Sequence, residues 1–241
     1  MSGYVDLHCH YLPGIDDGVK TLDEGVALCR ALKGIGYDTV VATPHIRSAM
    51  FENRKPGLLE AYRSFVEQTA GMTDLPKTGV AAEHFCDDVF WTLFEQGESM
   101  PYPGGHAALV EFPPSAIPRH VEQRFFDMQR KRVRPMIAHP ERYSPLFRST
   151  EPMDRMLDMG VLAQLDLMSL TGKYGRASQA AAERMVEEGV YYVASSDCHK
   201  LADVDVVVQA IERLVTLVGQ EEANELLSEN PSRILAGRIN A

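Results

Sequence analysis

Short apolar runs alternate with longer amphipathic stretches along the whole chain. Tyr4-Val-Asp-Leu-His8 alternates apolar and polar positions, as a strand does, and then passes into a loop marked by Pro13, Gly14 and Gly18. Thr21-Leu-Asp-Glu24 reads as a capping box, with Thr21 as N-cap, for a helix that runs to about Lys33 and is stopped by Gly34 and Gly36. Asp38 to Thr43 is a buried-type strand ending in Pro44-His45, Leu58 to Ala70 a helix, and Thr78 to Glu83 a weaker strand closing on a carboxylate. After a helical stretch around Asp88 to Phe94, the strand Ala107 to Phe112 carries Glu111 near its end, and Pro113-Pro114 prevents further pairing. A helix from Pro118 to Lys131 precedes the strand Arg134 to His139, and a helix from Met153 to Met159 precedes the strand Val161 to Asp166. A helix from Ala177 to Glu188 leads into the strand Val190 to Ser196, which runs on into Asp197-Cys-His199. Two helices, about Val204 to Val218 and Gln220 to Ser228, close the chain.

Seven strands alternating with helices predict a parallel α/β sheet, closed or doubly wound. The polar residues decide between the two. His8, His10, His45, Glu83, Glu111, His139, Asp197 and His199 all fall at C-terminal strand ends. In a closed barrel that rim is where the chemistry sits, whereas an open sheet gathers ligands mainly at its switch point. Six strands contributing to one rim favour a barrel. No linker divides the 241 residues, so one domain is expected over residues 1–241.

Composition narrows the function classes. A formal charge of −10 implies no basic face for duplex nucleic acid. No window approaches the roughly 18 apolar residues of a membrane span, and no basic segment followed by an apolar run suggests a secretory signal. Cys9, Cys29, Cys86 and Cys198 are scattered, which predicts free thiols in a reducing cytoplasm. A cysteine-dependent phosphatase loop is absent: the nearest candidate is His8-Cys9, and Ile15 stands where its arginine would be.

In an extended segment, residues two apart face the same way, so His8 and His10 present two imidazoles together while Cys9 faces the core. Asp16 and Asp17 follow in the loop, and either can swing back as an oxygen ligand. With one of them the set is five histidines and four carboxylates. One metal takes three or four protein ligands, so nine suit two or three ions with bridging carboxylates. Mixed nitrogen and oxygen donors fit Mn, Fe or Zn better than a thiolate zinc site.

Asp-Leu-His-Cys-His with Leu-Pro-Gly-Ile-Asp-Asp-Gly, then Ala-Thr-Pro-His, Val-Glu-Phe-Pro, Ala-His-Pro-Glu-Arg-Tyr and Ser-Ser-Asp-Cys-His resemble the PHP (polymerase and histidinol phosphatase) superfamily. Within it they are most similar to the metal-dependent protein-tyrosine phosphatases of bacterial capsule operons, the CpsB/CapC/YwqE type, over essentially the whole chain. The resemblance implies a distorted seven-stranded (β/α) barrel with a trinuclear site. It assigns one metal to His8, His10, Glu83 and Asp197, a second to Glu83 as bridge with Glu111 and His139, and a third to Asp17, His45 and His199, and it selects Asp17 over Asp16. It implies manganese before iron or zinc, a phosphate-holding role for Arg142, and as partner a phosphotyrosine protein, a tyrosine kinase of polysaccharide export. The family's arginines after the Glu83 position and beyond the last ligand are replaced here by His84-Phe-Cys and Leu201-Ala-Asp-Val-Asp, which leaves Arg47 or Lys200 as substitute phosphate contacts. Two other functions compete: a small-molecule phosphatase of the histidinol-phosphate type, and a metal-stabilised regulatory protein without turnover. His84, His106 and His120 are expected to be packing or surface residues.

Overall fold

A computed structural model describes residues 3–239. The described residues contain nine strands: β1 (Tyr4–Cys9), β2 (Tyr37–Ala42), β3 (His45–Ile46), β4 (Lys77–Val80), β5 (Glu83–Phe85), β6 (Ala107–Glu111), β7 (Arg134–Ala138), β8 (Leu162–Asp166) and β9 (Val193–Ser195). They form two wholly parallel sheets, one ordered β1-β2-β4 and the other β3-β5-β6-β7-β8-β9. Between and after them lie α1 (Leu22–Gly34), α2 (Lys55–Gln68), α3 (Asp88–Glu95), α4 (Val121–Arg130), α5 (Glu151–Asp158), α6 (Arg176–Glu187), α7 (Asp203–Asn224) and α8 (Asn230–Leu235).

The capping box is formed: Thr21 accepts from the Glu24 amide, and the Glu24 carboxylate reaches back to the Thr21 amide. Gly219, at φ 81°, breaks α7 where two separate helices are expected. Three expectations shift. The chain closes not on a helix ending at Ser228 but on α8, after a π-helical turn over Glu225–Glu229. The strand read over Thr78 to Glu83 is two strands in different sheets, because Ala82 leaves the ladder and donates to the Met100 carbonyl at 3.1 Å. The helix expected from Pro118 begins at Val121, because His120 takes a left-handed conformation at φ 60° and acts as N-cap.

The two sheets meet on both sides. Ala81 donates to Ala42 at 2.8 Å and Glu83 to Pro44 at 3.1 Å, where β2 passes into β3 and β4 into β5. On the other side His10 donates to the Cys198 carbonyl at 2.9 Å and Asp197 to the His8 carbonyl at 2.8 Å. Strand residues separate by parity, as a period of two requires. Leu109, Met136, Ala138, Leu162 and Val193 pack in one core; Val110, Ile137, Ala163 and Ala194 pack in another, which also takes in helical residues such as Phe125, Ala182 and Met185. Strands buried on both faces explain the continuous apolar runs in the sequence.

His84 is fully buried in this framework. Its Nδ1 lies 2.9 Å from the Leu109 carbonyl, and its Nε2 accepts from the Met100 amide at 3.1 Å. That pair of contacts fixes the neutral tautomer with the proton on Nδ1, and burial lowers the ring's pKa to about 4. The unfolded chain binds this proton near pH 6.5 and the folded chain only near 4. The stability contribution is therefore present above pH 6.5 and is lost as pH falls toward 4, by about 3 kcal/mol in all. Unfolding free energy of the metal-free protein should drop over that window, and an H84Q variant should show a shallower drop. Equal slopes would mean that the His84 environment is not as described.

Candidate metal centre and active site

β1 delivers the first ligands through an irregularity. Its pairing with β2 steps from Asp6↔Val40 to Cys9↔Ala42, three residues against two. Such a bulge re-aims side chains. Val5 and Leu7 pack inward, Cys9 joins the other core, and His8 and His10 turn onto the rim, with ring centroids 5.3 Å apart. The loop that follows folds back tightly: a Cβ on Gly18 would collide with His10, so only glycine lets the Asp16-Asp17 segment close there.

All nine expected ligand residues converge. Glu83 sits at the centre, with Oε2 3.0 Å from His8 Nε2, 3.1 Å from His45 Nδ1 and 3.7 Å from His10 Nε2, and Oε1 2.9 Å from His139 Nε2. Asp197 Oδ1 lies 3.1 Å from His8 and 3.3 Å from His10. Asp17 Oδ1 lies 3.4 Å from Nε2 of both His45 and His199. Three compact donor groups result: His10, Asp17, His45 and His199; His8, His10 and Asp197; and His45, Glu83 and Glu111. They share His10 and His45, so the donors overlap more than the three sets implied by the resemblance, and His139, placed there with Glu83 and Glu111, falls in none of the groups and meets the cluster through Glu83. His139 and Asp197 hold left-handed backbone at φ 33° and 50°, strain of the kind that persists where surrounding structure imposes a site.

The cluster fits cations. Among the described residues, nine buried side-chain polar atoms have no hydrogen-bond partner, and five of them are here: His10 Nε2, His45 Nδ1, Glu111 Oε2, His139 Nδ1 and Asp197 Oδ1. Protons hold part of that place in the free protein. Burial disfavours the His8 imidazolium, but Asp197 and Glu83 outweigh it and lift the ring to about 9. Burial and the Glu83 charge push Glu111 up to about 8. Burial opposes ionisation of Glu83 and Asp197, yet His8, with His45 for Glu83 and His10 for Asp197, holds both well below the usual carboxylate range. Metal binding to such a set displaces protons.

A surrounding shell orients the donors. Gln164 accepts from His8 Nδ1 at 2.7 Å and donates to Ser195, which aims His8 Nε2 at the cluster. Asp16 accepts from His10 Nδ1 at 2.7 Å and from the His45 amide at 3.1 Å. Of the two loop aspartates, then, Asp17 faces the donors and Asp16 orients one, as carboxylate–histidine–metal arrangements do. His199 Nδ1 is fixed by the Asp197 carbonyl at 2.9 Å. Gln164 is the residue sequence reasoning missed; its signal was a lone amide inside an otherwise apolar strand.

The expected phosphate contacts flank the cluster. Arg142 is ion-paired: its Nη1 lies 2.7 Å from Asp197 Oδ2 and 3.4 Å from Asp166 Oδ2, and its guanidinium covers the Tyr174 ring at 4.3 Å. Nothing in the sequence signals that tie to Asp197, and it gives Asp166, otherwise unassigned, a place in the site. Arg47 stacks over Phe85 at 4.2 Å with Nη1 3.7 Å from Glu111. Lys200 is exposed and lines a cleft that Arg142, Asp17 and His199 also reach. Cys9 and Cys198 are buried free thiols outside the donor set.

The whole chain is similar to known proteins. The chain is 26% identical to the tyrosine-protein phosphatase YwqE of Bacillus subtilis over 96% of this chain and 91% of that protein. It is 25% identical to the tyrosine-protein phosphatase CpsB of Streptococcus pneumoniae over 98% and 99% respectively. Among solved structures, one from work on YwqE of Bacillus subtilis and CpsB of Streptococcus pneumoniae, described as unique metal-dependent tyrosine phosphatases, superposes with a TM-score of 0.90 at 26% identity. That match covers 98% of this chain and 96% of the other. Residues 4–236 match the family described as capsular polysaccharide synthesis, CpsB/CapC, and the chain belongs to that family.

Proposed function

We propose that the chain is a metal-dependent protein-tyrosine phosphatase acting on a phosphotyrosine protein, a bacterial tyrosine kinase that governs capsular or exopolysaccharide synthesis. The observation that carries this reading is the convergence of nine nitrogen and oxygen donors, five with buried atoms lacking hydrogen-bond partners, at one rim. Two to three divalent ions would be held by His8, His10, Asp17, His45, Glu83, Glu111, His139, Asp197 and His199, manganese first and iron or zinc as alternatives. Such ions lower the pKa of water and offset charge on a phosphoryl group.

The remaining work falls to the chain. Arg142 offers a planar fork to the phosphoryl oxygens, a geometry a lysine ammonium lacks; Asp166 and Asp197 hold it by Nη1, and Tyr174 lies against its face. Arg47 is the secondary phosphate contact, and Lys200, the other candidate, is exposed at the cleft and left to the substrate around the phosphate. A tyrosyl leaving group, with a parent pKa of about 10, departs with less proton assistance than an alkoxide would.

The proposal includes a single domain over residues 1–241 and a closed seven-stranded barrel. Counting β2 with β3 and β4 with β5 as interrupted strands gives seven, and parallel backbone pairing of Cys9 with Cys198 links the first to the segment after the last. A cytoplasmic location suits the four free thiols, and no described helix is long and apolar enough to cross a membrane.

A kinetic panel on metal-replete protein tests substrate class. The kcat/KM for phosphotyrosine peptides should exceed that for histidinol phosphate by about tenfold or more, since only the peptides fill the adjoining cleft. The reverse order would make the chain a small-molecule phosphatase.

A further inference from the structure

Beside the donor cluster lies a cleft of about 710 Å³, far larger than a phosphoryl group. Arg142 and His199 reach it from the rim. Its other walls include Lys20 before α1, Lys173 and Tyr174 ahead of α6, and Lys200 and Leu201 ahead of α7. The chain as a whole carries −10, whereas this cleft is balanced, with four cations (Lys20, Arg142, Lys173, Lys200) against four carboxylates (Asp17, Glu24, Asp197, Asp203).

The acidic groups there are already engaged. The Glu24 carboxylate accepts from the Lys20 and Thr21 amides at 2.7 and 3.2 Å. Asp203 accepts from Lys173 at 2.8 Å and from the His199 and Lys200 amides at 3.0 and 3.3 Å. Asp17 faces His45 and His199, and Asp197 faces His8, His10 and Arg142. Two cations are left without a charged partner. Lys20 donates to the Asp16 backbone carbonyl at 2.6 Å, a neutral acceptor, and Lys200 has no ion pair among the described residues. Leu201 is 52% exposed, an apolar group at the lip of a charged cleft.

We propose that this cleft reads the sequence around the phosphotyrosine: the ring and its neighbours lie along Tyr174 and Leu201, and Lys20 with Lys200 receives carboxylates of flanking acidic residues. The proposal rests on the phosphatase reading and adds to it a substrate preference, acidic flanks over neutral and neutral over basic. Two partly exposed charge contacts are each worth a modest factor, so glutamate flanks should exceed lysine flanks by roughly three- to tenfold in kcat/KM. The difference should shrink as salt rises, because exposed pairs are screened beyond about 8 Å at physiological ionic strength.

The test uses metal-replete full-length protein with three phosphotyrosine peptides, flanked by Glu, Gln or Lys, and p-nitrophenyl phosphate, which has no flank and reports on the metal site alone. The expected order is Glu over Gln over Lys for the wild type, compressed at high salt. K20E should flatten or invert the order, K20Q should weaken it, and p-nitrophenyl phosphate turnover should change by less than about twofold. Equal kcat/KM for the three peptides in the wild type would overturn the proposal. So would a parallel fall of all four substrates in K20E and K20Q, which would place Lys20 in support of Asp16 and His10 instead. A wild type that hydrolyses p-nitrophenyl phosphate yet ignores flanks refutes only the cleft, whereas no turnover of any of the four substrates refutes the phosphatase reading itself.

Discussion

Glu83→Gln should strip metal from the protein and abolish turnover together. Glu83 is 1% exposed and lies within 3.7 Å of nitrogens from His8, His10, His45 and His139. It meets four of the expected ligand histidines, where Asp197 meets three. The substitution keeps the volume but removes the negative charge and replaces one of the two acceptor oxygens by an amide N–H₂ donor. Loss of an outer partner of a metal ligand already costs about 10- to 100-fold in affinity, so loss of this central carboxylate should cost at least about 100-fold. Circular dichroism should show the fold retained while elemental analysis shows depleted ions and a phosphotyrosine peptide is no longer hydrolysed. Full metal content in E83Q would remove Glu83 from the ligand set.

The second large effect separates chemistry from metal retention. Arg142→Ala should lower kcat by about 10²- to 10³-fold, the scale of losing one charge-stabilising donor at a reacting oxygen. It should nevertheless keep its ions. Arg142 holds Asp197 through Oδ2, whereas Oδ1 is the atom near His8 and His10. R142K should recover only part of the rate, because it restores charge but not the fork. The loss should be equal for a peptide and for p-nitrophenyl phosphate, which present the same phosphoryl group. If R142A loses metal, its contact with Asp197 is the role that matters; if only the peptide suffers, Arg142 recognises protein, not phosphate.

Much of the site was legible because it is written locally. His8, His10, Glu83, Glu111, His139 and Asp197 each close a strand whose apolar run is visible in sequence, and a parallel arrangement sends such ends to one side. The capping box at Thr21 and the break at Gly219 are likewise encoded within a few residues. What escaped depends on distant partners. Nothing in Thr78 to Glu83 announces that the Ala82 amide will leave for Met100, so one expected strand became two. The Arg142 contacts with Asp166 and Asp197 span 24 and 55 positions, and Gln164 meets His8 across 156. His120 looked like a helix-interior residue, and only its left-handed backbone reveals a cap. Asp16 and Asp17 are chemically alike, so the residues alone left both open; the resemblance selected Asp17, and the fold of the loop sets Asp17 against His45 and His199 and Asp16 against His10.

The central claim is that these nine residues hold a multinuclear centre on which phosphatase activity depends. Elemental analysis of the full-length protein, loaded with manganese and freed of excess, measures it directly when paired with a phosphotyrosine-peptide assay before and after chelation. The expected result is two to three ions per chain, with activity lost on chelation and restored by adding manganese back. One ion or fewer per chain, or turnover that survives complete removal of metal, would contradict it.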